Sequence, residues 1–165
     1  MDQLWAPWRM PYIEKGDSEP GCLFCRKIAA NEDEQNFIVY RGTQCFVMLN
    51  LYPYNSGHLM VAPYQHVGTL PGVEPRVGSD LFAVTQLATA ALQEVMAPDA
   101  FNFGINQGKV AGAGVADHIH LHVVPRWNGD TNFMPVLADA KVMPELLANT
   151  ARKLRPFFAE HAPRP

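Results

Sequence analysis

A chain of 165 residues, with 48% hydrophobic and 18% charged residues, has the size and composition of one globular domain that needs no disulfide support. Its net charge of -3 argues against a broad cationic surface for bulk nucleic acid, and no apolar run approaches the roughly 20 residues that a membrane span needs. The N-terminal residues lack the continuous apolar stretch of a secretory signal, so we expect a cytoplasmic protein without membrane attachment.

The chain begins with a predicted irregular arm followed by a short helix. Residues 1–20 are rich in Trp and Pro, and aromatic side chains in such an arm need a surface to pack against. Residues 22–34, CLFCRKIAANEDE, have Leu23, Ile28 and Ala29 at imperfect helical spacing. This spacing predicts a helix.

Three β-rich runs come next. Residues 36–42 and 43–50 are joined at Arg41, Gly42 and Thr43, which predicts a hairpin. Residues 58–63, HLMVAP, predict a third strand that stops at Pro63. Cys45, inside the apolar run CFVML, is expected to be a small buried hydrophobic residue.

Two longer segments have helical periodicity. Residues 78–96 carry apolar side chains at the spacing of one helix face, with Ser79 or Asp80 as the expected N-cap. Residues 142–159 predict a C-terminal helix, with Pro144 near its start and Pro156 bending or ending it. Strands joined by short turns, with helices to cover them, predict an antiparallel sheet with packed helices, an α+β domain over residues 1–165.

The segment Asp117–Trp127, DHIHLHVVPRW, has His118, His120 and His122 at every second position. Side chains of an extended chain alternate between two faces, so the three imidazoles should share one face while Ile, Leu and Val occupy the other. We expect the histidine face to be polar or open to solvent. A single strand histidine is usually structural, whereas three in strict alternation indicate a metal or catalytic site.

A metal site is also predicted by Cys22 and Cys25. Two thiols three residues apart at a helix start can share one tetrahedral ion, and His66 with one triad histidine could complete its ligands. The alternative is a pair of half-buried structural thiols. Thioredoxin-like redox chemistry is less favoured, because the pair does not follow a strand of a βαβ unit.

For the three histidines themselves, a three-histidine metal site competes with nucleophilic catalysis. The loop of residues 106–114, NQGKVAGAG, favours the second, because its backbone N–H groups and small side chains suit the cradling of phosphate oxygens. A neutral imidazole can attack phosphorus directly and form a phosphoramidate that a second nucleophile resolves.

Two motifs resemble those of the histidine triad (HIT) family of nucleotide hydrolases and transferases. Residues 118–124, HIHLHVV, match the pattern of three histidines separated and followed by apolar residues, and residues 50–66 resemble the upstream segment with Pro, Gly-His and an apolar strand. The resemblance covers roughly residues 22–137. The arm LWAPWRMPYI resembles more narrowly the bacterial branch of diadenosine tetraphosphate phosphorylases.

This resemblance implies a HIT-like fold with a sheet that continues across a homodimer. It implies that His120 is the nucleophile that takes up the nucleotidyl group, that His122 donates to its phosphate, and that His118 stands beside them. His58, at the family's Gly-His position, is expected to brace the site rather than react. Zinc-bearing members imply a structural Zn²⁺ held by four ligands, here Cys22, Cys25, His66 and His118.

The resemblance also implies the nucleotide contacts. Asn50 matches the residue that binds ribose hydroxyls, and apolar side chains are expected to sandwich the base. The base-contacting residues are Met48 and Met60 with Phe46 or Phe24, and the phosphate-contacting loop is Asn106 with Gly112 to Gly114.

Two functions are weighed on this basis. The first is an enzyme that cleaves dinucleoside polyphosphates, such as diadenosine tetraphosphate, through a nucleotidyl-His120 intermediate resolved by phosphate or water. The second is a nucleotide-binding regulatory module with slow or no turnover. Intact His118, His120 and His122 favour the enzyme, and His122 argues against the uridylyltransferase branch, which carries Gln there.

Many hydrolase members have a hydroxyl just before the triad, and GAGVAD lacks one, which argues against amine-linked or single-phosphate leaving groups.

Overall fold

The computed structural model describes residues 20–134 and 142–162. The predicted aromatic arm therefore lies outside the described residues, apart from Pro20. The described helices are α1 (Leu23–Ala30), α2 (Pro75–Met96) and α3 (Leu147–His161). The strands are β1 (Ile38–Arg41), β2 (Cys45–Leu49), β3 (Leu59–Pro63), β4 (Ala100–Ile105) and β5 (Leu121–Arg126).

The strands form one five-stranded sheet in the order β1-β2-β3-β5-β4, and every pairing is antiparallel. The predicted hairpin and third strand are confirmed, as is the α+β class with helices packed on an antiparallel sheet. In the register, Met48 lies opposite Met60 and Met60 lies opposite His122. Because residues opposite each other project on the same side of a sheet, these three side chains form one row across one face.

The other face of the sheet carries the main core. Val47, Val61 and Leu121 lie in register there, and buried residues of α2 and α3 cover them. Cys45 is fully buried in this cluster, as predicted. A smaller cluster on the row's side of the sheet joins α1 to the strands, and its buried members are Phe24, Ile38, Phe46, Met48, Met60 and Ala62. The sheet thus separates a core from a second, smaller layer where the site forms.

Helix α2 begins three residues earlier than predicted, at Pro75 rather than Gly78. Proline suits the first helical turn, because its missing N–H would have no helical partner there. The predicted caps Ser79 and Asp80 consequently lie inside the helix, and the Asp80 carboxylate accepts the Gln44 backbone N–H at 3.2 Å.

Helix α3 differs from the prediction at both ends. It begins at Leu147, so Pro144 precedes it, and it runs through Pro156 to His161. An interior proline costs a helix about 3 kcal/mol. Burial of Leu154, Phe157 and Phe158 on both sides of Pro156 offsets this cost. In the described part of the chain, no helix is long and apolar enough to cross a membrane.

The histidine segment is only partly a strand. Strand β5 starts at Leu121, because β3 ends at Pro63 and the Ile119 N–H donates to the Val67 carbonyl at 2.7 Å instead. The histidine face is polar, as expected, because His120 and His122 line a cavity together with Asn50, but it is not open to solvent. His118, His120 and His122 are 1%, 3% and 8% exposed, because α1 and the loop after β2 cover them.

Candidate active site

A cavity of about 440 Å³ lies over the row of Met48, Met60 and His122. Its size suits a nucleotide-sized molecule. One wall is the start of α1, one is the glycine-rich loop, and the floor is the sheet. The lining residues singled out from sequence are His120, His122, Asn50, Met48, Met60, Phe24, Gly112 and Gly114.

The structure leaves two of the expected nucleotide contacts out of this lining. Phe46 is 1% exposed and packs behind Phe24, with ring centroids 6.0 Å apart. Asn106 follows the last residue of β4 and is half-buried. Of the two phenylalanines expected beside the base, only Phe24 lines the cavity among the described residues.

The His120 ring is oriented by the backbone. Its Nδ1 lies 2.9 Å from the His118 carbonyl oxygen, which accepts hydrogen bonds only, so Nδ1 carries the proton. The other ring nitrogen, Nε2, is therefore the one with a lone pair in the neutral ring. Burial lowers the pKa of the His120 imidazole below its usual value of 6.5, and the neutral form dominates near pH 7. The ring can act as a nucleophile through Nε2.

The His122 ring is oriented by His58. The Tyr54 backbone N–H donates to His58 Nδ1 at 3.0 Å, so His58 carries its proton on Nε2. That Nε2 lies 2.9 Å from His122 Nδ1, which accepts the bond. His122 in its neutral form then carries its proton on Nε2, and the ring is a hydrogen-bond donor in the cavity lining. His58 is fully buried, as its bracing role requires.

Asn50 connects this bracing to the cavity. Its side-chain oxygen accepts the Tyr52 backbone N–H at 2.9 Å, and its amide nitrogen lies 3.5 Å from His58 Nδ1. The residue is 9% exposed and lines the cavity. Its amide is thus held at the cavity wall by the same loop that holds His58.

The glycine-rich loop approaches the histidines with little side-chain bulk. Gly108 and Gly112 both have φ of +85°, a conformation that favours glycine. A short 3₁₀ turn, Lys109–Ala111, lies between them, and a Cβ added at Gly112 would meet nothing within 4 Å. Gly112 and Gly114 line the cavity, where such a loop leaves room for phosphate oxygens beside the backbone.

The four residues expected to hold a metal come together at the other end of the histidine segment. The ligand atoms of Cys22, Cys25, His66 and His118 all lie within 4.8 Å of one another. Cys22 Sγ lies 3.2 Å and Cys25 Sγ 3.7 Å from His118 Nδ1, and Cys25 Sγ lies 3.5 Å from His66 Nδ1. Zinc bond lengths place sulfur and nitrogen ligands of one tetrahedral ion ~3.6 Å apart, so the donor set fits zinc.

Hydrogen bonds around this cluster favour metal binding. His118 Nε2 donates to the Pro63 carbonyl at 2.8 Å, which leaves Nδ1 unprotonated and facing the thiols. His66 Nε2 lies 3.8 Å from an Asp117 carboxylate oxygen. Backbone carbonyls and carboxylates are the usual partners of metal-binding imidazoles. The Pro63 carbonyl thus holds His118 in the tautomer that a zinc ligand requires, and Asp117 lies near the outer nitrogen of His66.

Sequence reasoning missed one wall of the cavity. Leu23, Lys27 and Ala30 of α1 line it, together with Arg26 and with Glu32 and Asn36 just beyond the helix. The spacing of 23, 27 and 30 is that of one helix face, and this was the available signal. Nothing in the spacing tells which surface such a face meets.

A comparison with protein families matches residues 31–129 to the HIT domain. Among curated proteins, an AP-4-A phosphorylase of Mycobacterium tuberculosis is 40% identical, covering 96% of this chain and 85% of its own length. The asymmetrical bis(5'-nucleosyl)-tetraphosphatase of Schizosaccharomyces pombe is 32% identical over 56% of this chain and half of its own length. These names support hydrolase or phosphorylase activity in this chain.

Among solved structures, a Zn-bound histidine triad family protein from Mycobacterium smegmatis matches with a TM-score of 0.69 and 30% identity. The match covers 85% of this chain and 94% of the other. The segment that matches the HIT domain, residues 31–129, contains the hairpin, α2 and the three histidines His118, His120 and His122. On the family match, the 40% identity over most of its length and the shared architecture, the chain belongs to the HIT family.

Proposed function

We propose that this protein cleaves dinucleoside polyphosphates, with diadenosine tetraphosphate as the leading substrate, through a covalent nucleotidyl-His120 intermediate. The observation that carries the proposal is the pair of opposite tautomers in the cavity lining. His120 presents an unprotonated Nε2, whereas His122 presents a protonated one. One nucleophile beside one donor is the arrangement that attack on a phosphate requires. The phosphorylase and tetraphosphatase names of its relatives support the same chemistry.

In the first step, His120 Nε2 attacks the phosphorus next to one nucleoside. A P–N bond forms while the bond to the bridging oxygen breaks, and the rest of the polyphosphate leaves with the electron pair. The His122 Nε2–H and the backbone around Gly112 donate to the phosphate oxygens as charge develops. The leaving oxygen becomes part of a terminal phosphate of the departing polyphosphate, which leaves as an anion and exchanges its proton with solvent.

In the second step, an oxygen nucleophile attacks the same phosphorus from the side that the leaving group vacated. The P–N bond breaks, and Nε2 of His120 recovers its lone pair. Inorganic phosphate as the nucleophile yields a nucleoside diphosphate, and water yields a monophosphate. Both nucleophiles attack through oxygen, so neither requires a different type of side chain in the site.

Incubation of diadenosine tetraphosphate with and without inorganic phosphate tests the proposal. ADP plus ATP, formed only with phosphate, indicates phosphorolysis, and AMP plus ATP indicates hydrolysis. Two ADP would also indicate hydrolysis, but by attack at a middle phosphorus, which contradicts the first step. A radiolabelled substrate quenched early should leave label on His120. Tight nucleotide binding without turnover or label would instead identify a regulatory nucleotide-binding module.

We also propose a structural zinc ion bound by Cys22, Cys25, His66 and His118. Four protein ligands leave no open position, so zinc would supply stability rather than an activated water. The Zn-bound neighbour from Mycobacterium smegmatis supports this assignment. Thiolate ligands require reduced cysteines, which agrees with the cytoplasmic location that we propose. Metal analysis of protein purified without chelator should give one zinc per chain.

The two edges of the sheet support a homodimer with a continuous sheet. On the β1 edge, the Arg155 guanidinium of α3 donates to the Ile38 carbonyl at 3.2 Å and blunts the edge. On the β4 edge, Asn102, Phe103 and Gly104 are exposed, and β5 is the only described strand beside them. We propose that two β4 strands pair across the dimer axis.

Light scattering after size exclusion should give twice the chain mass. Phe103→Asp should produce monomer, because a like charge then faces its copy across the interface. Leu70→Asp, at an equally exposed apolar residue of the 3₁₀ turn Leu70–Gly72, is the matched control and should remain dimeric. A monomeric wild-type protein at micromolar concentration would contradict the dimer.

A further inference from the structure

One of the two residues between Cys22 and Cys25 does not face solvent. Phe24, in the first turn of α1, is 1% exposed, and its ring centroid lies 5.1 Å from that of His118 and 5.0 Å from that of His120. Its neighbours two positions before and one position after are the thiols Cys22 and Cys25. One aromatic ring therefore packs on a proposed metal ligand and on the proposed nucleophile.

The His120 ring contacts the His122 ring, with centroids 4.8 Å apart, and two groups that belong to the metal cluster's residues or their neighbours. Its Nδ1–H donates to the carbonyl of His118, whose own ring faces the thiols. Its side packs against Phe24, which is flanked by those thiols in the chain. A shift of the cysteines relative to His118 would move both of these groups at once.

The start of helix α1 is held by packing of Phe24 against Phe46 in the smaller cluster and by the Arg26 bond to the Gly21 carbonyl, and the metal cluster would add a third restraint. The helix has eight residues, and no side-chain hydrogen bond caps its N-terminus at Cys22. Isolated helices shorter than about 12 residues are marginally stable in water. The bonds between Lys27 and Asn36 hold only the later part of the helix. An ion bound by both thiols and His118 would tie the first turn of α1 to the histidine segment.

We propose that Phe24 is a positioning residue through which the metal cluster sets the orientation of His120. The expected effect on the reaction rate rests on the proposed covalent function. The orientation of His120 by Phe24 does not, because it can be measured in nucleotide-free protein. Without metal, the first turn of α1 loosens, Phe24 withdraws from the His120 ring, and the Nδ1–H bond to His118 weakens. His120 then populates both tautomers, and only part of the molecules present Nε2 as the nucleophile.

Nitrogen-15 NMR of the histidine rings tests the orientation of His120, because ring nitrogen shifts distinguish the two tautomers. In metal-loaded wild-type protein without nucleotide, we expect His120 as the Nδ1–H tautomer alone. Metal-free protein and metal-loaded Phe24→Leu should both show a mixture. Single-turnover formation of nucleotidyl-His120 should slow about tenfold or more in both, as expected for a small misplacement of a reacting atom.

Leu154→Ala is the matched control, because Leu154 is a fully buried side chain of α3 in the main core. This variant should lose stability while the His120 signals and the rate stay unchanged. His120 spectra in Phe24→Leu that match wild type, with zinc retained, would overturn the proposal. Should metal-free protein unfold, Phe24→Leu alone decides. Should wild type form no nucleotidyl-His120, the covalent function fails, and the NMR comparison still decides whether Phe24 orients His120.

Discussion

His118 and His120 lie two residues apart, are almost equally buried, and present opposite ring nitrogens to their sites. His118 gives its Nε2 proton to Pro63 and turns Nδ1 to two thiols, whereas His120 gives its Nδ1 proton to the backbone and turns Nε2 to the cavity. In each ring, the proton lies on the nitrogen that faces a backbone carbonyl, which is that of Pro63 for His118 and that of His118 for His120. The same side chain in one short segment can therefore serve as a metal ligand or as a nucleophile.

The largest effect is expected at the nucleophile end of this comparison. His120→Ala should lower kcat about 10⁴-fold or more, equivalent to ~5.5 kcal/mol of transition-state stabilisation, while nucleotide binding persists. Steady-state kinetics with calorimetric nucleotide binding measure both. His161→Ala, at a surface histidine of α3, should leave kcat unchanged. Near-normal turnover in His120→Ala would remove the covalent mechanism.

Removal of the ion proposed at His118 should lower the stability of the protein. With free zinc a thousandfold above its Kd, removing the metal should lower the free energy of unfolding by about 4 kcal/mol. For a chain of this size, that corresponds to a fall in Tm of about 8–16 °C. Calorimetry with and without chelator measures it, and a double Cys22→Ser, Cys25→Ser variant should show no chelator effect. An unchanged Tm in wild type would exclude a structural ion.

A smaller effect is expected at His122, the proposed donor to the phosphate. His122→Ala should lower kcat about 10²-fold, or ~2.7 kcal/mol, as is typical when one donor to developing charge is removed. Labelled nucleotidyl-His120 should still form, only more slowly. A loss as large as that of His120→Ala would mean that the two histidines exchange roles.

The smallest effect is expected at His58, which contacts His122. His58→Ala should lower kcat about tenfold, or ~1.4 kcal/mol, because it releases the bond that holds His122 in its donor tautomer. The same change in a His122→Ala background should cost almost nothing, since the partner is already absent. Additive losses in this double-mutant cycle would show that His58 acts independently of His122.

Local sequence patterns predicted those parts of the fold that depend on near neighbours. The hairpin followed from two β-rich runs around Gly42, and α2 followed from apolar side chains at helical spacing. The predicted start of α2 is three residues late because it depends on apolar spacing and a polar cap alone, and Pro75, a residue well suited to a first turn, begins the helix. Of the two alternatives for Pro156, the ending of α3 there is wrong, because burial of Phe157 and Phe158 is a tertiary effect that the local rule for proline does not contain.

The same distinction between local patterns and tertiary effects applies to the candidate site. The resemblance to the family's motifs pointed to the four residues that cluster as possible metal ligands and to the histidines of the cavity lining. The burial of the histidine face, by contrast, depends on Phe24 and Tyr54 folding over it from distant segments. The placement of Lys27 and Asn36 in the cavity wall depends on how α1 crosses the sheet. Neither property is encoded in the alternation of residues 118–124.

The third cysteine, Cys45, differs from Cys22 and Cys25 in the reactivity of its thiol. Burial raises the pKa of the Cys45 thiol to about 12, so this thiol stays protonated and unreactive at neutral pH. Alkylating reagents would then meet only Cys22 and Cys25 among the three cysteines of the chain, and a bound ion would shield both. The number of thiols that react in native protein therefore measures metal occupancy, from none in the loaded state to two in the empty state.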